Sequence, residues 1–274
     1  MRGMIRFSGL RLAGLAALAT AALVVAIGSA SASAEKEKPP PAPQKGRSCL
    51  IVNLGGGGGS WSVLQAAVDA ASPGDTLRVK GTCVGSTTVS TKNLTIVGQT
   101  NPGFGAATLD GNHSGRVLTI GNFSGNVTIS NLTITNGTAS GDLGGGGIFY
   151  GGGEGTSSVT LNNTSVIGNT TNAYLGGGGI LSDGGPMTLN NSTVTGNAAT
   201  YNAATPFGGG FSGLGGGIAN WGNGGLLTLN NSTVTGNTAL SGGGIYNAGG
   251  SVTLSGTNVL CPNSTANFGF TPLC

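Results

Sequence analysis

GGGGILSDGG (176–185) runs directly into PMTLNNSTVTGN (186–197), and this pair of segments returns through the second half of the chain. GGGGIFYGGG (144–153) leads to SVTLNNTSVIGN (158–169), GGGIANWGNGG (215–225) to LLTLNNSTVTGN (226–237), and GGGIYNAGG (242–250) to SVTLSGTNV (251–259). Such a repeat marks a stack of similar coils, because no single copy can bury its own apolar face. Ile148, Ile180, Ile218 and Ile245 are 32, 38 and 27 residues apart. A constant motif order on an uneven spacing means loops of varying length inserted into a fixed coil. Within MTLNNSTVTGN, the apolar Met187, Leu189 and Val194 lie between Thr188, Thr193 and Thr195. Period two is strand periodicity, with the aliphatic residues turned in and threonine turned to water. Each coil therefore holds three short strands separated by Gly or Asn. Asn169, Asn197 and Asn237 recur at the corner after the third segment, where left-handed backbone suits Asn and stacked copies can form an amide ladder. TLRVKG, NLTIVG, ATLDG, RVLTIGN and NVTISNLTITNG, all earlier in the chain, follow the same scheme less strictly. The expected fold is all-β, a parallel solenoid.

Composition supports this reading. The 274 residues include 56 Gly, 32 Thr and 25 Asn, all poor helix formers. Gly shows no three-residue period, which excludes collagen. Charged residues make up 7% of the chain, which excludes charge-rich disorder. Formal net charge is +3, but Arg2, Arg6 and Arg11 lie in the first 34 residues, and the remainder balances eight basic against eight acidic side chains. After Arg116 no Lys or Arg occurs in 158 residues. Nucleic-acid binding needs clustered cations, so this body is not built for it. An anionic membrane surface is excluded as a partner for the same reason.

Residues 1–34 read as a secretory signal: three arginines, an apolar run from Leu12 to Ile27, and the small-residue site Ser31–Ala34. Residues 35–48 form a charged, Pro-rich linker. The β domain then covers 49–274. In Ser60–Ala71, Leu64, Ala67, Val68 and Ala71 share one helical face, Ser60 or Ser62 can cap it, and Pro73-Gly74 ends it. This short helix is expected to cap the open end of the stack. The four cysteines of an exported chain suggest disulfides, Cys49 with Cys83 and Cys261 with Cys274, because other pairings would join opposite ends of the fold. No CxxC pair exists and His113 is the only histidine, so neither a metal nor a cofactor is expected.

LQAAVDAASPGDTLRV, followed by ATLDG and the GGGI coils, resembles the right-handed parallel β-helix proteins of the pectin-lyase-like superfamily. The GGGI and Val-x-Gly-Asn coils (Val166–Asn169, Val194–Asn197, Val234–Asn237) are similar to repeats of polymorphic outer-membrane and adhesin-like proteins. Those repeats usually carry GGA and Phe-x-x-Asn, from which this chain departs at the Ala and the Phe. The resemblance covers roughly 49–274. It implies a single-stranded right-handed β-helix, and either an adhesive or structural role or the polysaccharide lyase and glycoside hydrolase activities found on that fold.

Those activities need carboxylates gathered for Ca²⁺ with a base, or neighbouring carboxylates serving as acid and base. Here Asp142, Glu154 and Asp183 fall in different coils. The compact polar group is Asp110, Asn112, His113 and Arg116 in LDGNHSGR. It reads as a turn bent at Gly111 and Gly115, with proton abstraction by His113 or Arg116 as its catalytic alternative. The Gly runs lack the Lys and Ser/Thr of a phosphate loop. Sequons at Asn131, Asn163, Asn191 and Asn231 read as by-products of the strand pattern. Thr128, Thr160, Thr188, Thr228 and Thr253 hold one outward position in five coils. Thr133–Thr135, Thr193–Thr195 and Thr233–Thr235 make a second, interrupted double row, broken at Ser165–Ile167 and Thr257–Val259. A flat Thr array resembles the ice-binding face of some β-helical antifreeze proteins, a minor alternative. Outward Phe149 and Tyr246, interrupted by Leu181 and Ala219, offer sugar-stacking surface. The expected function is a secreted, non-catalytic module that binds extracellular polysaccharide or a cell surface, or serves structurally.

Overall fold

A computed structural model describes residues 49–265, without 91, 122–124, 153–156, 201–212 and 223–224. The expected signal (1–34) and linker (35–48) lie outside the described residues. Among the described residues no helix is long and apolar enough to cross a membrane.

The chain opens with β1 (Cys49–Asn53), β2 (Ser60–Trp61), α1 (Leu64–Ala70) and β3 (Thr76–Val84). β1 pairs antiparallel with both β2 and β3, so the all-parallel expectation fails at this end. From β3 onward the strands named below pair in parallel, each with its counterpart one coil away. The first sheet gathers the five-residue strands Leu94–Gly98, Asn126–Ser130, Ser158–Asn162, Pro186–Asn190, Leu226–Asn230 and Ser251–Ser255. A second holds Thr108–Asp110, Thr133–Thr135, Ser165–Ile167, Thr193–Thr195 and Thr233–Thr235. The third runs from Thr87–Val89 and Leu118–Ile120 through Ile148–Gly151, Ile180–Asp183 and Ile218–Trp221 to Ile245–Ala248. β3 serves two sheets, pairing with Leu94–Gly98 before its bend and with Thr108–Asp110 after it; Gly81 sits between, at φ 73°. The result is an all-β fold of stacked parallel coils, consistent with a β-helix solenoid.

Three segments per coil were expected, but the later coils have four. Two-residue strands at Thr138–Ala139, Thr170–Thr171, Ala198–Ala199, Thr238–Ala239 and Ser264–Thr265 build a further parallel sheet. Two residues are too short to show alternation, so this sheet has no periodic signature.

The core is made of matched columns. Ile96, Ile129, Leu161, Leu189 and Leu229 lie opposite one another in register and are each 0% exposed. Ile134, Val166, Val194 and Val234 repeat this in the second sheet. Among the described residues the first column ends at Leu254, which is 44% exposed.

The corners correct one expectation. Asn169, Asn197 and Asn237 do not take left-handed backbone; the glycines before them do, Gly168, Gly196 and Gly236 at φ 63–66°. Asn131, Asn163, Asn191 and Asn231, after the first-sheet strands, are left-handed at φ 47–56°, as are Asn112 and, after Thr133–Thr135, Asn136. Asn169, Asn197 and Asn237 instead point inward and form the ladder. The Asn169 backbone and side-chain N–H groups donate to Asn197 Oδ1 at 2.9 and 3.0 Å, and those of Asn197 to Asn237 Oδ1 at 3.0 and 2.9 Å. Asn263 extends the ladder by one coil. The glycine runs pack where backbone meets backbone: a Cβ on Gly178 would stand 2.4 Å from the Gly216 carbonyl oxygen.

In α1 the buried face is Leu64, Ala67 and Val68, with Ala71 just beyond, as the spacing indicates. Its N-cap is Val63 without a side-chain bond, not Ser60 or Ser62, and Ser60 belongs to β2. The Gln65 amide meets the backbone of the first strand of the third sheet, accepting from Thr88 N–H at 2.7 Å and donating to its carbonyl at 3.2 Å. Lys92 donates to the carbonyls of Val68 and Ala71 at the helix end. Cys49 and Cys83 form a disulfide that ties β1 to β3. Cys261 is also disulfide-bonded, and its expected partner Cys274 lies outside the described residues. Disulfide bonding fits an oxidising environment.

Candidate functional site

Strand register turns the threonine repeat into a continuous column. Thr128, Thr160, Thr188, Thr228 and Thr253 face one another coil by coil. Thr95 and Thr76 extend the column toward the N-terminus. Neither strand carries the Thr-aliphatic-Ser/Asn string that marks the other five. With a rung spacing of about 4.8 Å, the column runs roughly 29 Å. Thr76 to Thr228 are half-buried and Thr253 is exposed.

The flanking column is amide-rich. Asn190 Nδ2 donates to Asn162 Oδ1 at 2.8 Å, and Asn230 Nδ2 to Asn190 Oδ1 at 2.7 Å. These bonds run along the stack and tie neighbouring coils together. The second sheet presents Thr82, Thr108, Thr133, Ser165, Thr193 and Thr233 in one column. Beside it stand Val84, Asp110, Thr135, Ile167, Thr195 and Thr235, so the double row is interrupted as expected at Ser165–Ile167. In the last coil it is Val259, not Thr257, that lies opposite Thr233. Within these columns the first sheet is free of charge from Asn126–Ser130 onward, and the second carries only Asp110.

The polar group at 110–116 is divided among separate partners. Asp110 Oδ1 accepts from Asn112 N–H at 2.8 Å and from Asn136 Nδ2 at 3.0 Å, which closes the turn. His113 is exposed and left-handed, with φ 53°, and its backbone N–H donates to Asn136 O. Arg116 turns away into the loop before the third sheet, donating to the carbonyls of Leu143 at 2.6 Å, Gly144 at 2.8 Å and Gly145 at 3.1 Å. Burial lowers its pKa from the ordinary arginine value. Asp142 is exposed, and Glu154 lies outside the described residues. Among the described residues no three His, Cys, Asp or Glu come together.

Inside the third sheet a polar column went unnoticed in the sequence: Tyr150, Ser182, Asn220 and Asn247. The Tyr150 hydroxyl donates to Ser157 O at 2.7 Å, while burial raises its pKa. Outside this sheet, half-buried Asp183 lies beside Trp221 in register. Comparison with protein-family models, curated proteins and solved structures gives no match.

Proposed function

We propose that the protein is secreted and non-catalytic, a right-handed β-helix of pectin-lyase-like kind, and attaches to extracellular polysaccharide through the first-sheet threonine face. The observation that carries this reading is the unbroken register of seven threonines from Thr76 to Thr253. From Asn126–Ser130 onward the face is an uncharged, periodic lattice of hydroxyl, methyl and amide groups, which matches a ligand that is itself extended, neutral and periodic. Right-handedness follows from the general rule for parallel crossovers, which holds in about 98% of cases. Helix α1 serves as the N-terminal cap, supported by its buried face and by the Gln65 amide on Thr88. The non-catalytic reading draws on Asp110 and Arg116, whose hydrogen bonds are taken up by a turn and by loop carbonyls.

The test is co-sedimentation of the protein with insoluble neutral polysaccharides. In a Tyr246→Ala background, which keeps the outward third-sheet aromatic surface out of the readout, Thr160→Asp combined with Thr188→Asp is expected to lower the bound fraction at least tenfold while the thermal midpoint stays within a few degrees. Undiminished binding by that variant, or release of sugar ends by the unmodified protein, overturns the reading.

A further inference from the structure

The outer side of the third sheet is built differently: Leu181 and Ala219 are fully buried at its centre, and half-buried side chains stand around them. In register, Phe149, Leu181, Ala219 and Tyr246 share one column, and Gly151, Asp183 and Trp221 share the next. Gly151 leaves its position empty, and Phe149 leans into it: a Cβ on Gly151 would lie 3.1 Å from Phe149 Cζ. The Phe149 ring therefore stands in line with Asp183 and Trp221, one rung before the carboxylate. At the other end Tyr246 turns toward the same line, its ring centroid 5.5 Å from that of Trp221 at a 45° tilt. The order along the stack is ring, carboxylate, ring, ring on four successive rungs, roughly 14 Å at about 4.8 Å per rung. All four side chains are half-buried.

Two of the rings in this track are anchored. The Arg116 guanidinium stands 5.1 Å over the Phe149 ring, and loop carbonyls fix it there. Trp221 Nε1 donates to Leu175 O at 2.7 Å. Asp183 is the contrast. Burial alone pushes its carboxyl above the ordinary range, and among the described residues no hydrogen bond or cation offsets the cost. A chain with few charges that keeps an uncompensated carboxylate between aromatic rings has the makings of a binding site.

We propose that Phe149, Asp183, Trp221 and Tyr246 form a subsite for a neutral glycan chain, lying along the stack with sugar faces on the rings and hydroxyl groups donating to Asp183. A pyranose offers an apolar C–H face to an aromatic ring and hydroxyl donors at its edge. Hydrogen bonds from those hydroxyls to a carboxylate are stronger than those between neutral groups. A polyuronate would meet like charge at Asp183. A lone ammonium would need only one ring and the acid, whereas the track spans four rungs. The subsite lies on a different sheet from the threonine face and does not depend on it.

Trp61 and Trp221 are the only two tryptophans, so a Trp61→Phe variant makes emission report on Trp221. That variant is titrated with neutral, anionic and cationic oligosaccharides and with oligolysine. A neutral series is expected to shift the emission saturably. Tyr246→Ala and Asp183→Asn, in the same background, should each weaken binding at least fivefold, with Asp183→Asn keeping or raising the thermal midpoint at pH 7. Thr160→Asp with Thr188→Asp should leave this titration unchanged, so failure here and failure of the threonine face are read separately. No response to any neutral sugar, affinity undiminished in both site variants, or a preference for oligolysine overturns the proposal.

Discussion

Asn197 makes the clearest demand of any single residue. Its Oδ1 accepts from Asn169, while its Nδ2 donates to Val166 O at 2.9 Å and to Asn237 Oδ1 at 2.9 Å, all within the core. Replacement by alanine takes the partner from the buried Asn169 backbone N–H and removes a donor from the Val166 carbonyl. At about 1–3 kcal/mol for each buried group left unsatisfied, Asn197→Ala should cost on the order of 3 kcal/mol in denaturant unfolding. Asn191→Gly should change stability by only a few tenths of a kcal/mol, because Asn191 supplies a left-handed corner that Gly also adopts. Equal losses in both variants would contradict this division of labour. The Asn-Asn-x-Thr string was legible as a corner, but composition could not say which asparagine bends the chain and which bonds inside. The sequons have the same origin: Asn231 is left-handed, Ser232 turns inward and Thr233 outward, each for its own reason.

At the scale of elements, the N-terminal strands are held by one carboxylate. Asp75 Oδ2 accepts from Asn53 Nδ2 at 2.7 Å and from Ser72 N–H at 2.9 Å, and Asn53 Oδ1 accepts from Gly55 N–H. The Asn53 bond first, then Ser72, lowers the Asp75 pKa from its ordinary value of 3.8. A depressed carboxyl contributes its full stability above the unfolded value and loses it as pH falls through the folded one. The thermal midpoint should therefore drop on acidification below about pH 4, and Asp75→Asn should drop less over the same interval while starting lower at pH 7. An identical acid decrement in both proteins would show that Asp75 does not tie these strands. None of this was visible in the sequence, where Asp75 reads as a turn residue after Pro73-Gly74. The helix was visible through its apolar face, but its cap was not, since Ser60 is taken by β2. The aromatic track was half visible. Counting from the GGGI isoleucine aligns Asp183 with Gly151 and Trp221, but only the fold shows Phe149 crossing into the glycine's place.

For the whole molecule, everything proposed depends on the coils standing in one parallel register. The GGGI and Thr-x-Thr repeats made that stack readable from residue 144 onward, while strong columns of Ile, Leu and Val carry it back to β3, where repeats fade. A slip by one residue would turn threonine inward and leucine outward in every coil, so the threonine face and the aromatic track exist only if the register holds. The most direct test is a distance measurement between spin labels at Thr95→Cys and Thr253→Cys by pulsed electron paramagnetic resonance. The two positions are 158 residues apart in sequence but five rungs apart in the column. At about 4.8 Å per rung, a single narrow distribution centred near 24 Å, broadened by the label arms, is expected. A broad distribution, or one centred beyond about 40 Å, would contradict the stacked register and with it both binding surfaces.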